Sequence, residues 1–239
     1  RCLYCQVPEL TRGAGPAIDL NLLKAELRGL IADVVDGEFF ERYALPPKQR
    51  VICDLAISGN GEPTTSPQFE KAIGVINEVC DEYALTDPIR RVLISNGSQM
   101  RKPEVQRGLS RWGGQGGEVW FKIDSATEEG IRRINDVSLP LATVQANLAA
   151  CVRHCPTWIQ TCLFALDGQP PSESEQTAYL EFLKDVLRQG VPIAGVLLYG
   201  IARPSLQAEA PRLSALPVEW LQGFANKIEA LGVQVRVHA

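Results

Sequence analysis

The feature that most constrains this chain is a regular alternation of two kinds of segment. Short runs rich in Val, Ile, Leu and Phe, bounded by Gly, Pro, Asn or Asp, recur at 51–58, 91–96, 118–124, 158–165 and 191–199. Helical periodicity fills the stretches 20–35, 68–83, 104–112, 142–154, 173–189 and 218–231. Pro103 and Pro217 suit helix starts, and Gly190 and Gly232 suit helix stops. Strand and helix in strict turn predict an α/β fold with a parallel sheet and right-handed crossovers. Val233, Val235 and Val237 alternate with Gln234, Arg236 and His238, so the tail is expected to add an edge strand. No composition break interrupts the 239 residues, and a single domain over 1–239 is expected.

The pattern within the strands chooses between a doubly wound sheet and a barrel. In the third run Val119, Phe121 and Ile123 share one face, while Trp120, Lys122 and Asp124 share the other. In the first, Val51, Cys53, Leu55 and Ile57 form a face suited to packing on helices, opposite Asp54, Ala56 and Ser58. A doubly wound sheet buries both faces under helices, so a face carrying Lys and Asp favours a barrel. In either architecture the loops at the C-terminal strand ends carry the site. Here they read Gly59-Asn60-Gly61-Glu62-Pro63-Thr64, Asn96-Gly97-Ser98 and Asp124-Ser125.

Composition limits the partners. A net charge of -4 gives no overall positive field for nucleic acid, so such a ligand would need a local patch. Arg90, Arg91, Arg101, Lys102, Arg107 and Arg111 are candidates for one. No run approaches the roughly 18 apolar residues of a membrane span, and the first residues lack the pattern of a signal peptide. A cytoplasmic protein without a membrane partner is expected. Seven cysteines, an odd number beside a large core, argue for buried thiols, metal ligands or reactive groups rather than a secreted disulfide framework.

The cysteine spacing is then the most informative local signal. Arg1-Cys2-Leu3-Tyr4-Cys5 holds a Cys-x-x-Cys, a pattern shared by zinc, thioredoxin-like and iron–sulfur sites. A zinc ribbon needs a second pair, and Cys151 and Cys155 form the only other close one. Those two share a helix face, and with Cys162 they read more simply as buried thiols than as an auxiliary cluster. Cys53 and Cys80 fall at apolar positions and are expected in the core. His154 and His238 lack an acid or nucleophile partner, which suits a surface or capping role.

Taken together, the cysteine pair, the Gly-Asn-Gly-Glu-Pro loop after a strand and the Ser95-Asn96-Gly97 strand end resemble the radical S-adenosylmethionine (radical SAM) superfamily. The likeness extends over nearly the whole chain. That family carries three cysteines spaced C-x3-C-x2-C, with an aromatic before the last; Cys2, Tyr4 and Cys5 match its second half. The resemblance implies a partial (β/α)6 TIM-like barrel whose first strand, with the first cluster cysteine, would precede Arg1. It implies that Cys2 and Cys5 ligate a 4Fe-4S cluster and that Tyr4 approaches the adenine of S-adenosylmethionine. Asn60, Gly61 and Glu62 would receive the methionine ammonium, with Asn60 standing where the family has glycine. Ser95 and Asn96 would contact the ribose, and Lys122 and Asp124 the ribose or the methionine carboxylate. The implied activity is reductive cleavage of S-adenosylmethionine to a 5'-deoxyadenosyl radical that abstracts hydrogen from a substrate, with flavodoxin or ferredoxin as electron donor. The substrate could be a small molecule, a peptide or RNA.

Simpler readings stand beside these. Lys122 could pair with Asp124 or Glu62 inside the barrel. Arg203, following the last strand, could hold a substrate carboxylate or phosphate or be a solvated loop charge. The segment around it is loosely similar to tRNA-modifying enzymes of the wyosine type. A non-catalytic, metal-binding relative that kept only the fold is the alternative from another class.

Overall fold

The computed structural model describes residues 1–8, 13, 17–85 and 89–238. After the cysteine segment the chain runs α1 (Leu20–Val35), α2 (Phe39–Arg42), β1 (Asp54–Ile57), α3 (Phe69–Glu82), β2 (Arg90–Ser95), α4 (Pro103–Gly114) and β3 (Gly117–Lys122). It continues with α5 (Glu128–Asn135), α6 (Leu141–Val152), β4 (Thr157–Cys162), β5 (Ala165–Leu166), α7 (Glu173–Arg188), β6 (Gly195–Tyr199), β7 (Leu213–Ser214), α8 (Val218–Glu229) and β8 (Val235–His238). Six strands form one sheet in the order β1-β2-β3-β4-β6-β8. Every neighbouring pair in it is parallel. β1 and β8 are its edges, so the sheet is an open, partial barrel, as the alternation and the resemblance predict. β5 and β7 make a separate antiparallel ribbon.

The main core lies between the convex face of the sheet and the helices. Leu93, Val119, Phe121, Ile159, Val196 and Leu198 project outward from the strands, and Ile73, Leu109, Leu148, Leu183 and Leu221 meet them from the helices; all are buried. Alternation along β3 follows the expected pattern, with Val119 and Phe121 buried and Trp120 and Lys122 only partly so. β4, in the middle of the sheet, is buried at every position. A smaller cluster of Leu3, Cys162 and Phe164 packs under the cysteine segment with Tyr4, Ile134 and Tyr199.

Two expectations need correction. Cys53 is exposed rather than in the core, and Val51 is 60% exposed. Both precede β1, an edge strand with one neighbour, whereas Leu55 and Ile57, further along the same face, are partly buried against the core. The run 158–165 is not one strand: it breaks after Cys162, and Ala165 crosses to the small ribbon. Helix α5 is an addition that the apolar pattern does not reveal. Its eight residues bury only Gly130 and Ile131. It forms because Thr127 caps it, accepting from Gly130 N at 3.0 Å, and because two glutamates occupy its first turn and two arginines its last. Gly130 is required there, since a Cβ would stand 2.1 Å from Ser125 Oγ.

Candidate functional site

The C-terminal ends of the strands open into a cavity of about 1080 Å³, lined by the cysteine segment, the loops after β1, β2 and β3, the end of α5 and the loop after β6. Its volume suits a ligand of cofactor size. Cys2, Tyr4, Cys5, Gly61, Glu62, Ser95, Asn96, Lys122 and Asp124 all line it. Of the expected site residues only Asn60 stands outside, exposed on the same loop.

The cysteine segment is a tight turn, with Cys5 N donating to Cys2 O at 3.1 Å. It is held from two sides. On one, Leu3 N donates to Ile134 O at 2.9 Å. On the other, Cys5 O accepts from Leu206 N at 3.0 Å, Ser205 Oγ at 3.2 Å and Gln207 Nε2 at 3.2 Å, while Ser205 Oγ also reaches Leu3 O at 2.6 Å. Both sulfurs face N–H donors: Asn135 Nδ2 lies 3.2 Å from Cys2 Sγ, and Val7 N lies 3.5 Å from Cys5 Sγ. Burial and the nearby Asp124 carboxylate push the Cys2 thiol up from its ordinary value.

Below the turn is a buried polar network. Asp124 Oδ2 accepts from Tyr4 OH at 2.6 Å and Asn135 Nδ2 at 2.7 Å, and Oδ1 accepts from Cys162 N at 3.0 Å. Lys122 Nζ donates to Tyr4 OH at 2.5 Å and Tyr199 OH at 3.0 Å and stands 4.0 Å from Asp124 Oδ1. Burial opposes the charge on Lys122, but Asp124 and Tyr199 outweigh it and hold its pKa above the ordinary value. Burial first, then Asp124, raises the Tyr4 phenol well above its usual range, so it stays a donor. Tyr4 therefore anchors the cysteine turn to the end of β3.

The first loop is organised around Glu62. Oε1 accepts from Thr64 N at 3.1 Å, Thr64 Oγ1 at 2.5 Å and Ser95 Oγ at 2.6 Å; Oε2 accepts from Asn96 N at 2.6 Å. Among the described residues no basic side chain pairs with it, which leaves a fixed negative charge on the cavity wall. Gly61 has φ +137 with open space where a Cβ would be, so the backbone beside Glu62 is bare. Ser95 is committed within the protein, since its Oγ also accepts from Gly97 N at 3.0 Å. Asn96 is exposed and uses Oδ1 to accept from Ser98 N at 2.9 Å, keeping its amide nitrogen without a partner among the described residues.

The remaining candidates separate cleanly. Cys80, Cys151, Cys155 and Cys162 are buried, and burial pushes the Cys151 thiol up to about 12. Cys162 nonetheless lines the cavity. His154 Nδ1 meets Ser110 Oγ at 2.8 Å on the surface, the bland role expected for it. Of the candidates for a basic patch, Arg91 is buried, with its guanidinium on Leu85 O at 2.9 Å, Arg107 pairs with Glu70 at 2.9 Å and Arg90 with Asp54 at 3.4 Å, while Arg101, Lys102 and Arg111 are exposed. Arg203 lines the cavity with no ion pair among the described residues. Asn135, Tyr199, Ser205 and Gln207 are site residues that sequence reasoning missed. Only Tyr199 carried a signal, a polar aromatic ending a strand on the inner face, opposite Cys162 in register.

The sulfurs of Cys2 and Cys5, each partly buried, suit two corners of an iron–sulfur cluster. They are soft donors on one turn at the cavity wall, and each already accepts an N–H, as metal-bound thiolates do. Among the described residues no group of three or more His, Cys, Asp or Glu is arranged to hold a metal ion, so a third ligand is not among them.

No protein-family model matches the sequence, and a search of curated proteins found no match. Solved structures do share the fold. A domain of pyruvate-formate lyase-activating enzyme from Bacteroides vulgatus superposes with a TM-score of 0.53 at 15% identity, covering 77% of this chain and 98% of that one. A radical SAM methyltransferase from Sphaerobacter thermophilus superposes with a TM-score of 0.55 at 15% identity, covering 87% of this chain. The alignment spans 56% of that enzyme's length. The chain is thus an α/β protein with the partial, TIM-like barrel of the radical SAM fold. Among the described residues no helix is long and apolar enough to cross a membrane.

Proposed function

We propose that this chain is the core of a radical SAM enzyme in which Cys2 and Cys5 hold two irons of a 4Fe-4S cluster. The observation that carries this reading is the convergence of the thiol pair and the uncompensated carboxylate of Glu62 on one cavity at the C-terminal edge of the sheet. When bound, the cluster and S-adenosylmethionine supply reductive cleavage to a 5'-deoxyadenosyl radical, which takes hydrogen from a substrate.

The protein's part is binding and orientation. Glu62, fixed by four donors, offers its charge to the methionine ammonium, and the bare backbone at Gly61 allows close approach. Asn96 is assigned the ribose, because its amide is uncommitted. Ser95 and Asp124 act one step back, Ser95 by fixing Glu62 and Asp124 by fixing Tyr4 and Asn135. Lys122 fixes Tyr4 and Tyr199 beside Asp124. Asn60 contributes main-chain shape to the loop. A low-potential donor such as flavodoxin or ferredoxin would deliver the electron, and the protein would act in the cytoplasm.

Metal analysis of the full-length protein purified without oxygen tests this. Iron and sulfide in equal amounts, lost in Cys2→Ala and Cys5→Ala, are expected. Zinc without sulfide would instead identify a metal-binding relative that kept the fold but not the chemistry.

A further inference from the structure

We propose that Asn135 is a positioning residue for Cys2, orienting its sulfur and donating an N–H···S hydrogen bond that raises the reduction potential of a cluster bound there. This rests on the reading of Cys2 as a ligand. The assignment comes from how the two amide protons of Asn135 are used. One goes to Asp124 Oδ2 at 2.7 Å and the other to Cys2 Sγ at 3.2 Å. Asp124 only accepts, and it is fixed by Tyr4 OH at 2.6 Å and Cys162 N at 3.0 Å, so the amide nitrogen must be the group that faces both it and the sulfur.

The donor is held by contacts of its own helix. Asn135 ends α5, whose position is set independently of the cysteine turn: Thr127 caps its start, Gly130 sits against Ser125, and Arg133 pairs with Glu175 of α7. The helix end also meets the turn through the backbone, Leu3 N donating to Ile134 O at 2.9 Å. A donor aimed at a ligating sulfur stabilises negative charge on it. The reduced cluster carries more of that charge than the oxidised one, so the bond favours reduction.

A simple clamp on the loop would not have this electronic effect, and a comparison of variants separates the two. Ser205→Ala loosens the same turn from its opposite side without touching either sulfur. In the full-length protein, reconstituted anaerobically, Asn135→Leu is expected to shift the cluster's midpoint potential to a more negative value and to alter the electron paramagnetic resonance signal of the reduced state. Ser205→Ala is expected to lower cluster retention while leaving the potential near that of the wild type. If the Leu variant holds too little iron to titrate, Asn135→Gln, which displaces the donor, takes its place with the same shift expected. An unchanged potential in the Asn135 variant, or an equal shift in Ser205→Ala, overturns the assignment while the cluster reading stands. A wild-type protein that takes up no iron and sulfide overturns both.

Discussion

Tyr4 and Asp124 meet 120 residues apart in sequence, with the phenol donating to the carboxylate at 2.6 Å, and this contact ties the cysteine turn to the end of β3. The same phenol oxygen accepts from Lys122 at 2.5 Å. Tyr4→Phe keeps the ring packing against Phe164 and Tyr199 but leaves a buried carboxylate and a buried ammonium each short of a partner. A loss of about 1.5–3 kcal/mol is expected, the cost of a hydrogen bond to a charged group. Urea unfolding of the two proteins under reducing conditions checks it, and equal midpoints and slopes would remove Tyr4 from the anchoring role.

Glu62 carries a charge that nothing among the described residues neutralises. Glu62→Gln preserves its size but sets an amide where a carboxylate faced Asn96 N or Thr64 N. Affinity for S-adenosylmethionine is expected to fall at least ~10-fold, equivalent to about 1.4 kcal/mol. Calorimetric titration of the reconstituted protein measures this. Undiminished affinity would mean that the ammonium is read elsewhere.

Two glycines at the strand ends differ in why they are glycine. Gly97 has φ +73, and a Cβ would lie 2.0 Å from the ring of Phe121. Gly61 has φ +137 and open space around it. Gly97→Ala combines backbone strain with overpacking and should cost about 3 kcal/mol or more. Gly61→Ala should cost only the strain, about 1–3 kcal/mol, and should impair cofactor binding more than stability. Thermal unfolding and ligand titration on the pair give the ordering, and a reversed order would contradict the packing described around Phe121.

Burial raises the phenols of Tyr4, Tyr179 and Tyr199 above their ordinary 10.0. A raised folded pKa means the stabilisation is intact below pH 10 and is lost as the pH climbs beyond it, because the unfolded chain releases these protons first. Ultraviolet titration should therefore find Tyr4, Tyr179 and Tyr199 still protonated above pH 10, ionising together with unfolding at higher pH. Ionisation of Tyr4 and Tyr199 near pH 10 in folded protein would show that their network is wet.

Much of this architecture is legible in the residues. The Val119, Phe121 alternation against Trp120 and Lys122 announces a sheet with one polar face, and the barrel follows. The strand-end loops are legible because glycine and Glu62 stand where helical periodicity has not yet begun. What escapes is long-range. Nothing near Asn135 marks it as a partner of Cys2, since α5 has almost no apolar stripe and its end reaches the site only through the crossover after β3. Ser95 and Asp124 illustrate the converse. Their types suit a ribose, but in the fold they also serve Glu62, Gly97, Tyr4, Asn135 and Cys162. Cys53 reads as core by its apolar neighbours, and only the edge position of β1 exposes it.

The central claim is that this cavity supports radical cleavage of S-adenosylmethionine. The most direct measurement is product analysis after anaerobic reconstitution of the full-length protein with iron, sulfide, dithionite and S-adenosylmethionine. 5'-Deoxyadenosine and methionine formed by the wild type and abolished by Cys2→Ala are the predicted result; a cluster-loaded wild type that forms neither would contradict it.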